Sequence, residues 1–234
     1  SEMCIRDSVK TIVTTETIKT IAERNGVEMY DVYTGFKWIA NVMRENEGKK
    51  NYIGGGEESY GFLCEDFVRD KDAVSACVIL AEIAAWAKDQ GLSLYQLLQK
   101  IYVEYGFSKE KGISVVKKGK SGAEEIEAMM KKFRENPLTE IAGSKVTYFY
   151  DYSTLKGKDY AENETVTLDM PTTSNVLQYF TEDNTKVSIR PSGTEPKIKF
   201  YCEVHSKVKS LDELPAAEKA GAEKIEAIKA SLGI

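Results

Sequence analysis

A glycine-rich segment, GGGEESYG at residues 54–61, carries side chains that could bind a polyol. Two adjacent carboxylates, Glu57 and Glu58, precede the hydroxyl of Ser59. A carboxylate can accept hydrogen bonds from two vicinal hydroxyls at once, and a serine adds a third contact. The segment does not match a phosphate-binding P-loop, because the G-K-[ST] ending is missing and adjacent carboxylates would repel a phosphate. The alternative interpretation is an acidic, solvated turn.

A second segment, IRPSGTEPK at residues 189–197, has the composition of an anion-binding loop between two strands. Arg190 can hold a phosphate through two parallel hydrogen bonds, and Ser192 and Thr194 offer hydroxyl donors. Successive backbone N–H groups around Gly193 can converge into an anion-binding nest. The alternative is a Pro-Ser-Gly turn that only connects the strands.

A third segment, RDKD at residues 69–72, opens a long apolar run. The N-terminus of a helix with a nearby Lys and Arg favours an anion, which makes Lys71 a candidate contact. The simpler interpretation is that Asp70 or Asp72 caps the helix.

Composition limits the partners that we expect. The 234 residues are 42% hydrophobic, with 32 Lys and Arg against 37 Asp and Glu, and therefore a net charge of −5. Such a chain folds, and its charge gives no general reason to bind nucleic acid or an anionic membrane, so we expect neither partner. Four cysteines without metal-binding or disulfide spacing favour a reducing compartment, and a cytoplasmic location is expected.

The elements that would position these loops alternate in the first half of the chain. Strand, helix, strand, helix and strand predict an α/β domain over residues 9–106, with a mixed or parallel sheet and flanking helices. The first strand is predicted at residues 10–14, and the glycines of residues 54–56 are predicted to form a sharp turn. The apolar run at residues 73–87 predicts a helix that is covered on most sides. Residues 1–8 fit no element and are interpreted as a non-native tail.

Residues 107–234 have a different pattern. Hairpin-length connections between extended segments predict a two-layer α+β domain with a mainly antiparallel sheet. Its strands are expected at residues 113–116, 145–152, 165–168, 176–180, 186–189 and 197–204, and its helices at residues 121–136 and 215–232.

These motifs together resemble one family, the α-D-phosphohexomutases, in its phosphoglucomutase branch. The resemblance rests on TGFKWI, GGGEESYGF, RDKDAV, SNVLQYF and IRPSGTEPKIKFY, which begin at residues 34, 54, 69, 174 and 189. It implies that residues 9–106 are part of the family's third, sugar-binding domain without its opening helix. It also implies that residues 107–234 are the family's C-terminal domain, with a TATA-binding-protein-like fold.

The resemblance implies an activity as well as a fold. The family interconverts hexose 1-phosphate and hexose 6-phosphate through a phosphoserine, with a hexose 1,6-bisphosphate as intermediate and activator and with Mg²⁺. Its serine loop (T-A-S-H-N-P) and its magnesium loop (D-G-D-G-D) do not occur in these 234 residues. We therefore expect a C-terminal fragment that is inactive alone, holds no catalytic or metal-binding residue, and works with the missing N-terminal domains of the same polypeptide.

The resemblance assigns substrate contacts residue by residue. Glu57 and Ser59 match contacts to sugar hydroxyls, and Lys71 matches a basic residue near the substrate phosphate. The remaining matches are to the sugar-site lining, Thr34 and Gly35, and to the phosphate-binding loop, Arg190, Ser192, Gly193 and Thr194. A non-catalytic phosphosugar-binding module remains an alternative, as does a phosphomannomutase or phosphopentomutase, because these contacts do not identify the sugar.

Overall fold

A computed structural model describes residues 6–117, 119–193 and 195–234 of the chain. Thr194 therefore lies outside the described residues, as do residues 1–5. The structure divides into two compact units. One unit extends to Gly106 and includes Val208–Leu211, and the other comprises Phe107–Lys207 and Asp212–Ile234.

The first unit is an α/β domain, as predicted. Its four-stranded mixed sheet has the order β2-β1-β3-β4, in which β1 pairs in parallel with β2 and β3, and β4 is antiparallel to β3. The strands are β1 (Arg6–Thr11), β2 (Val27–Val32), β3 (Asn51–Gly56) and β4 (Phe62–Cys64). The helices are α1 (Glu16–Arg24), α2 (Phe36–Asn46), α3 (Ala73–Asp89) and α4 (Leu94–Tyr105).

The core of the first unit lies between α2 and the sheet. Phe36, Ile39 and Met43 recur at helical spacing and are buried on one face of α2. They pack against apolar residues of the strands, which are Val9, Val32, Tyr52 and Leu63.

The first strand begins earlier than the sequence pattern predicts. β1 runs over Arg6–Thr11, so residues 6–8, which the sequence pattern placed in no element, belong to a strand. The pattern was hidden because a charged residue occupies a central strand. Asp7 is fully buried, and its carboxylate accepts a hydrogen bond from the Asn46 amide at 2.7 Å. Burial raises the pKa of the Asp7 carboxyl, although the hydrogen bond from Asn46 opposes this shift.

The long apolar helix begins as predicted but is not covered as predicted. Asp72 caps α3, because its carboxylate accepts hydrogen bonds from the N–H groups of Val74 and Ser75. Only Ala87 of this helix is buried, and Trp86 is 54% exposed. Within its unit α3 contacts β4 and α4, which leaves most of its apolar circumference outside the core. Neither α3 nor any other helix in the described part of the chain is long and apolar enough to cross a membrane.

The second unit is a two-layer α+β domain, as predicted. Its strands pair antiparallel in the order β5-β12-β11-β10-β7-β8-β9, and β6 pairs with β7. They are β5 (Phe107–Val116), β6 (Glu140–Ile141), β7 (Ser144–Asp151), β8 (Lys156–Asp159), β9 (Glu164–Thr167), β10 (Leu177–Thr181), β11 (Lys186–Pro191) and β12 (Lys197–Ser206). Helices α5 (Gly119–Glu135) and α6 (Leu214–Leu232) contribute buried apolar residues to the same core as these strands.

The glycines of the GGGEESYG segment belong to strand β3 rather than to a turn. Gly54 to Gly56 pair with β4, so the prediction of a sharp bend at these residues is wrong. At Gly55 an added Cβ would lie 2.4 Å from the Val9 carbonyl oxygen and 2.6 Å from the Tyr52 hydroxyl. Glycine is therefore required here by the close approach of β3 to β1.

We expect Gly55→Ala to destabilise the first unit by about 3 kcal/mol, because the methyl group meets backbone that cannot move aside. Both tryptophans, Trp38 and Trp86, lie in this unit, so their fluorescence during urea unfolding measures its stability. Gly54→Ala is the matched control, because the nearest atom to its Cβ is 3.4 Å away. Equal losses in the two variants would contradict the close-approach argument.

Candidate functional site

The loops that follow three parallel strands define the candidate site of the first unit. Parallel strands end at the same edge of a sheet, and ligands of open α/β sheets bind at that edge. The residue at the end of β1 is Thr11, the loop after β2 contains Thr34 and Gly35, and the loop after β3 begins with Glu57.

The loop after β3 is the tip of a hairpin with β4. The Glu57 N–H donates a hydrogen bond to the Gly61 carbonyl at 2.8 Å, and the Tyr60 N–H donates to the Glu57 carbonyl at 3.2 Å. Tyr60 has a positive φ of 69°, and its side chain is fully exposed. Ser59 is exposed beside it. The hairpin therefore presents a hydroxyl to solvent from a backbone with internal hydrogen bonds.

The side chain of Glu57 connects the hairpin to the loop after β2. Its Oε1 accepts a hydrogen bond from the Gly35 N–H at 2.6 Å. Gly35 is the N-cap of α2, with φ at 115°, and the first turn of this helix contains no acidic residue. In a capping box, a carboxylate at the third position of the helix accepts a hydrogen bond from the N–H of the N-cap residue. Here Glu57, from the loop after β3, provides that carboxylate instead. The structure thus brings together Glu57 and Gly35, which were assigned separately from the sequence, and Thr34 lies half-buried next to them.

Lys71 lies next to the same hairpin. A Cβ at Gly61 would meet the Oε2 atom of Glu57 at 3.2 Å and the Cδ atom of Lys71 at 3.3 Å. The Lys71 ammonium is 5.8 Å from the centre of the Phe36 ring and 3.1 Å from a carboxylate oxygen of Asp70. Its hydrogen bond lowers the pKa of the Asp70 carboxyl. Lys71 is therefore near Glu57 and remains more than half exposed.

Lys10 was missed by the sequence analysis. This residue of β1 is fully buried, and its ammonium contacts Glu16 at 2.9 Å and Asp31 at 2.6 Å. It lines a cavity of about 360 Å³ together with the glycines of β3 and with Glu57. The sequence did contain a signal for this residue, a single lysine within the apolar segment VKTIV at residues 9–13. A lysine that is buried in a strand needs carboxylate partners, which indicates a cluster of charged side chains.

The IRPSGTEPK segment forms the turn between β11 and β12 of the second unit. The Ser192 N–H donates to the Lys197 carbonyl at 2.8 Å, and the Ser192 hydroxyl accepts from the Glu195 N–H at 3.3 Å. Gly193 is exposed, and apart from its two chain neighbours no described residue has an atom within 4 Å of the position that a Cβ would take. The structure brings Arg190, Ser192 and Gly193 into one turn, and the prediction for Thr194 falls outside the described residues.

The turn places several cations close together. Arg190 is half-buried, and within the described residues no ion pair or hydrogen bond to its guanidinium is found. Lys199 lies directly opposite Arg190 in the register of β11 and β12, and its ammonium likewise has no ion pair or hydrogen bond in the described structure. Lys197 pairs with Glu195 and lowers the pKa of that carboxyl, and the charge of Lys199 lowers it further. Like charges directly opposite each other repel, and an anion between them would remove the repulsion.

Lys199 is a second residue that the sequence analysis missed. The alternation of Lys197-Ile198-Lys199-Phe200 predicted a strand with both lysines on one face. The pairing partner of each lysine depends on the strand register, which the alternation does not give.

The acidic residues do not form a metal centre in the described ranges. No group of three or more His, Cys, Asp or Glu side chains is arranged there to hold a metal ion. The residues present in this part of the chain therefore do not fit Mg²⁺, and we derive no step through it.

Solved structures share this fold over nearly the whole chain. A phosphoglucomutase from Paramecium, the exocytosis-sensitive phosphoprotein pp63/parafusin in its open form, is 18% identical, with a TM-score of 0.58 over 94% of this chain and 38% of that one. A putative phosphomannomutase from Thermus thermophilus is 17% identical, with a TM-score of 0.55 over 96% of this chain and 37% of that one. At such identities these similarities establish the fold alone.

Sequence comparison establishes the family. Residues 4–105 match the profile of the phosphoglucomutase/phosphomannomutase alpha/beta/alpha domain III, and residues 114–221 match that of the C-terminal domain of the same family. The chain therefore belongs to the phosphoglucomutase/phosphomannomutase family, whose members are phosphohexomutases, a class of isomerases.

Curated relatives agree with this assignment. Phosphoglucomutases of Staphylococcus haemolyticus (strain JCSC1435) and Staphylococcus aureus (strain MRSA252) are 37% and 39% identical over 82% and 86% of this chain. The chain covers 35% and 36% of their lengths.

We expect Glu57→Ala to destabilise the first unit by about 1 kcal/mol, because the Gly35 N–H and the N-terminus of α2 lose their carboxylate acceptor. Glu57→Gln keeps an acceptor oxygen and should recover at least half of that loss. Tryptophan fluorescence in urea measures both variants, with Ser59→Ala as the control at the exposed tip of the hairpin. Wild-type stability in Glu57→Ala would show that the hydrogen bond to Gly35 does not support the fold.

Proposed function

We propose that this chain is the C-terminal portion of a phosphoglucomutase-type enzyme, which interconverts hexose 1-phosphate and hexose 6-phosphate through a phosphoserine and a bisphosphate. The observation that carries the proposal is the pair of cations Arg190 and Lys199, which lie opposite each other in the strand register beside the exposed turn at Gly193. A phosphate is the anion that such a turn suits, because it accepts hydrogen bonds from a guanidinium and from backbone N–H groups together.

The two units supply different contacts in this proposal. In the second unit Arg190, Lys199 and the turn bind the phosphate that does not react. In the first unit the Oε2 atom of Glu57 and the hydroxyl of Ser59 bind sugar hydroxyls, while Gly35 fixes the other oxygen of Glu57. Lys71 adds a cation next to Glu57. Such contacts place a substrate for phosphoryl transfer, a reaction that depends mainly on positioning and on charge stabilisation.

The chemical step belongs to other parts of the polypeptide in this proposal. The N-terminal domains would provide the phosphoserine and the ligands of Mg²⁺, and the hexose 1,6-bisphosphate would be the intermediate. A cytoplasmic location follows from the same assignment, because sugar phosphates are cytoplasmic metabolites.

A non-catalytic phosphosugar-binding module is the second candidate, and a phosphomannomutase or phosphopentomutase is the third. The exposed Ser59 and the half-buried Glu57 suit any polyol with vicinal hydroxyls. Titration with glucose, mannose and ribose phosphates in parallel distinguishes the sugars.

We expect the chain to bind glucose 1-phosphate and Arg190→Ala to weaken that binding at least about 10-fold, because a hydrogen bond to a charged group contributes about 1.5–3 kcal/mol. Isothermal titration calorimetry at millimolar ligand measures the affinity. Lys145→Ala, which removes an exposed cation from β7 of the same unit, is the control and should bind as the wild type does. An unchanged affinity in Arg190→Ala would contradict the phosphate site.

The 234-residue chain alone is expected to convert no glucose 1-phosphate to glucose 6-phosphate, because the serine and magnesium loops of the family are not in its sequence. A coupled dehydrogenase assay with added glucose 1,6-bisphosphate and Mg²⁺ measures the conversion, and an intact phosphoglucomutase is the positive control. Turnover by the chain alone would show that the nucleophile lies within these residues.

A further inference from the structure

Glu58 differs from its neighbours in the hairpin, because it has a defined contact inside the protein and no assigned contact to a ligand. Its Oε2 atom accepts a hydrogen bond from the Thr11 hydroxyl at 3.2 Å. Thr11 is the last residue of β1 and is fully buried. The hairpin after β3 is thus attached through Glu58 to the end of the neighbouring strand.

A second threonine continues this contact. The Thr11 and Thr14 hydroxyl oxygens are 2.8 Å apart, and Thr14 is also buried. An ionised carboxylate only accepts hydrogen bonds, so Thr11 must donate its single hydroxyl proton to Glu58. Thr14 then has to be the donor to Thr11. The carboxylate of Glu58 therefore fixes the direction of a short hydrogen-bonded chain inside the protein, from Thr14 through Thr11 to the hairpin.

The strand order β2-β1-β3 explains which part of the chain each glutamate reaches. Because β1 lies between β2 and β3, Glu58 reaches the adjacent strand end, whereas Glu57 reaches across β1 to Gly35 after β2. The hairpin is therefore held at two successive residues, by hydrogen bonds to the loop after β2 and to the end of β1. The residue that follows these attachments is Ser59, whose side chain is exposed.

We propose that Glu58 is a positioning residue, which acts through Thr11 and Thr14 to hold the hairpin so that Glu57 and Ser59 face the sugar hydroxyls. This inference rests on the sugar-binding role proposed above. A hairpin that is already ordered loses less conformational freedom when a ligand binds, and the affinity is higher for that reason.

The first arm of the test is binding of glucose 1-phosphate to the whole chain, measured by calorimetry. Glu58→Ala and Thr11→Val should each weaken binding about 5- to 10-fold, and the double variant should be no weaker than either single variant, because both changes remove one interaction. Thr11→Ser keeps the hydroxyl and Glu58→Gln keeps an acceptor oxygen, so these two variants should restore most of the affinity. A role in stability alone would leave the affinity of the folded variants equal to that of the wild type.

The second arm needs no ligand. Amide hydrogen exchange of Glu57 and Tyr60, whose N–H groups close the hairpin, should accelerate by a similar factor in Glu58→Ala and in Thr11→Val. The Ile12 N–H, which donates to the Val32 carbonyl at 2.8 Å between β1 and β2, is the internal control and should stay protected.

The two arms separate the possible failures. If the wild-type chain binds no sugar phosphate, the proposed function fails, and the exchange rates alone decide whether Glu58 holds the hairpin. If the wild-type chain binds but Glu58→Ala binds equally well, the positioning role is overturned. Unchanged exchange at Glu57 and Tyr60 in both variants overturns it as well.

Discussion

The close approach of β3 to β1 at Gly55 is the constraint on which the first candidate site depends. The space between the Val9 carbonyl and the Tyr52 hydroxyl accommodates no side chain at this residue. The glycine therefore allows β3 to pair in parallel with β1. Since β1 also pairs in parallel with β2, the loops that follow these three strands lie at the same edge of the sheet. The contacts of Glu57 and Glu58 with neighbouring loops are consequences of that pairing. The positions of both glutamates thus depend on a glycine, Gly55, which lies two residues before Glu57.

The two candidate sites compensate charge in opposite ways. In the first unit the buried ammonium of Lys10 lies between two carboxylates, and Glu57 lies at the positive end of α2. Each of these charges has an opposite charge or a helix N-terminus next to it, which suits the recognition of neutral hydroxyls. In the second unit Arg190 and Lys199 lie opposite each other without an ion pair in the described residues, and the Glu195 carboxylate interacts with Lys199 through its charge. Like charges in this register repel, and they place a local positive field on a chain with a net charge of −5.

The sequence was sufficient for the architecture of both units, but not for residues whose environment comes from distant parts of the chain. Hydrophobic periodicity predicted α2 and most of the longer strands of the second unit, because half-buried elements alternate between two environments. It failed for β1, where Asp7 is buried against Asn46 of α2, and for β8, whose sequence KGKD is polar throughout. It also failed for the coverage of α3, because hydrophobicity indicates that burial is favourable and does not show what is available to bury the helix.

The pair of adjacent glutamates shows the same limit within the site itself. From composition alone both carboxylates were equal candidates for binding hydroxyls. Successive side chains at the end of a strand point in different directions, so Glu57 and Glu58 reach different neighbours. One oxygen of each accepts a hydrogen bond from another part of the chain: from Gly35 in the loop after β2 for Glu57, and from Thr11 at the end of β1 for Glu58. Two adjacent acidic residues in this hairpin therefore have different structural neighbours, and the strand order rather than the composition decides which neighbour each one reaches.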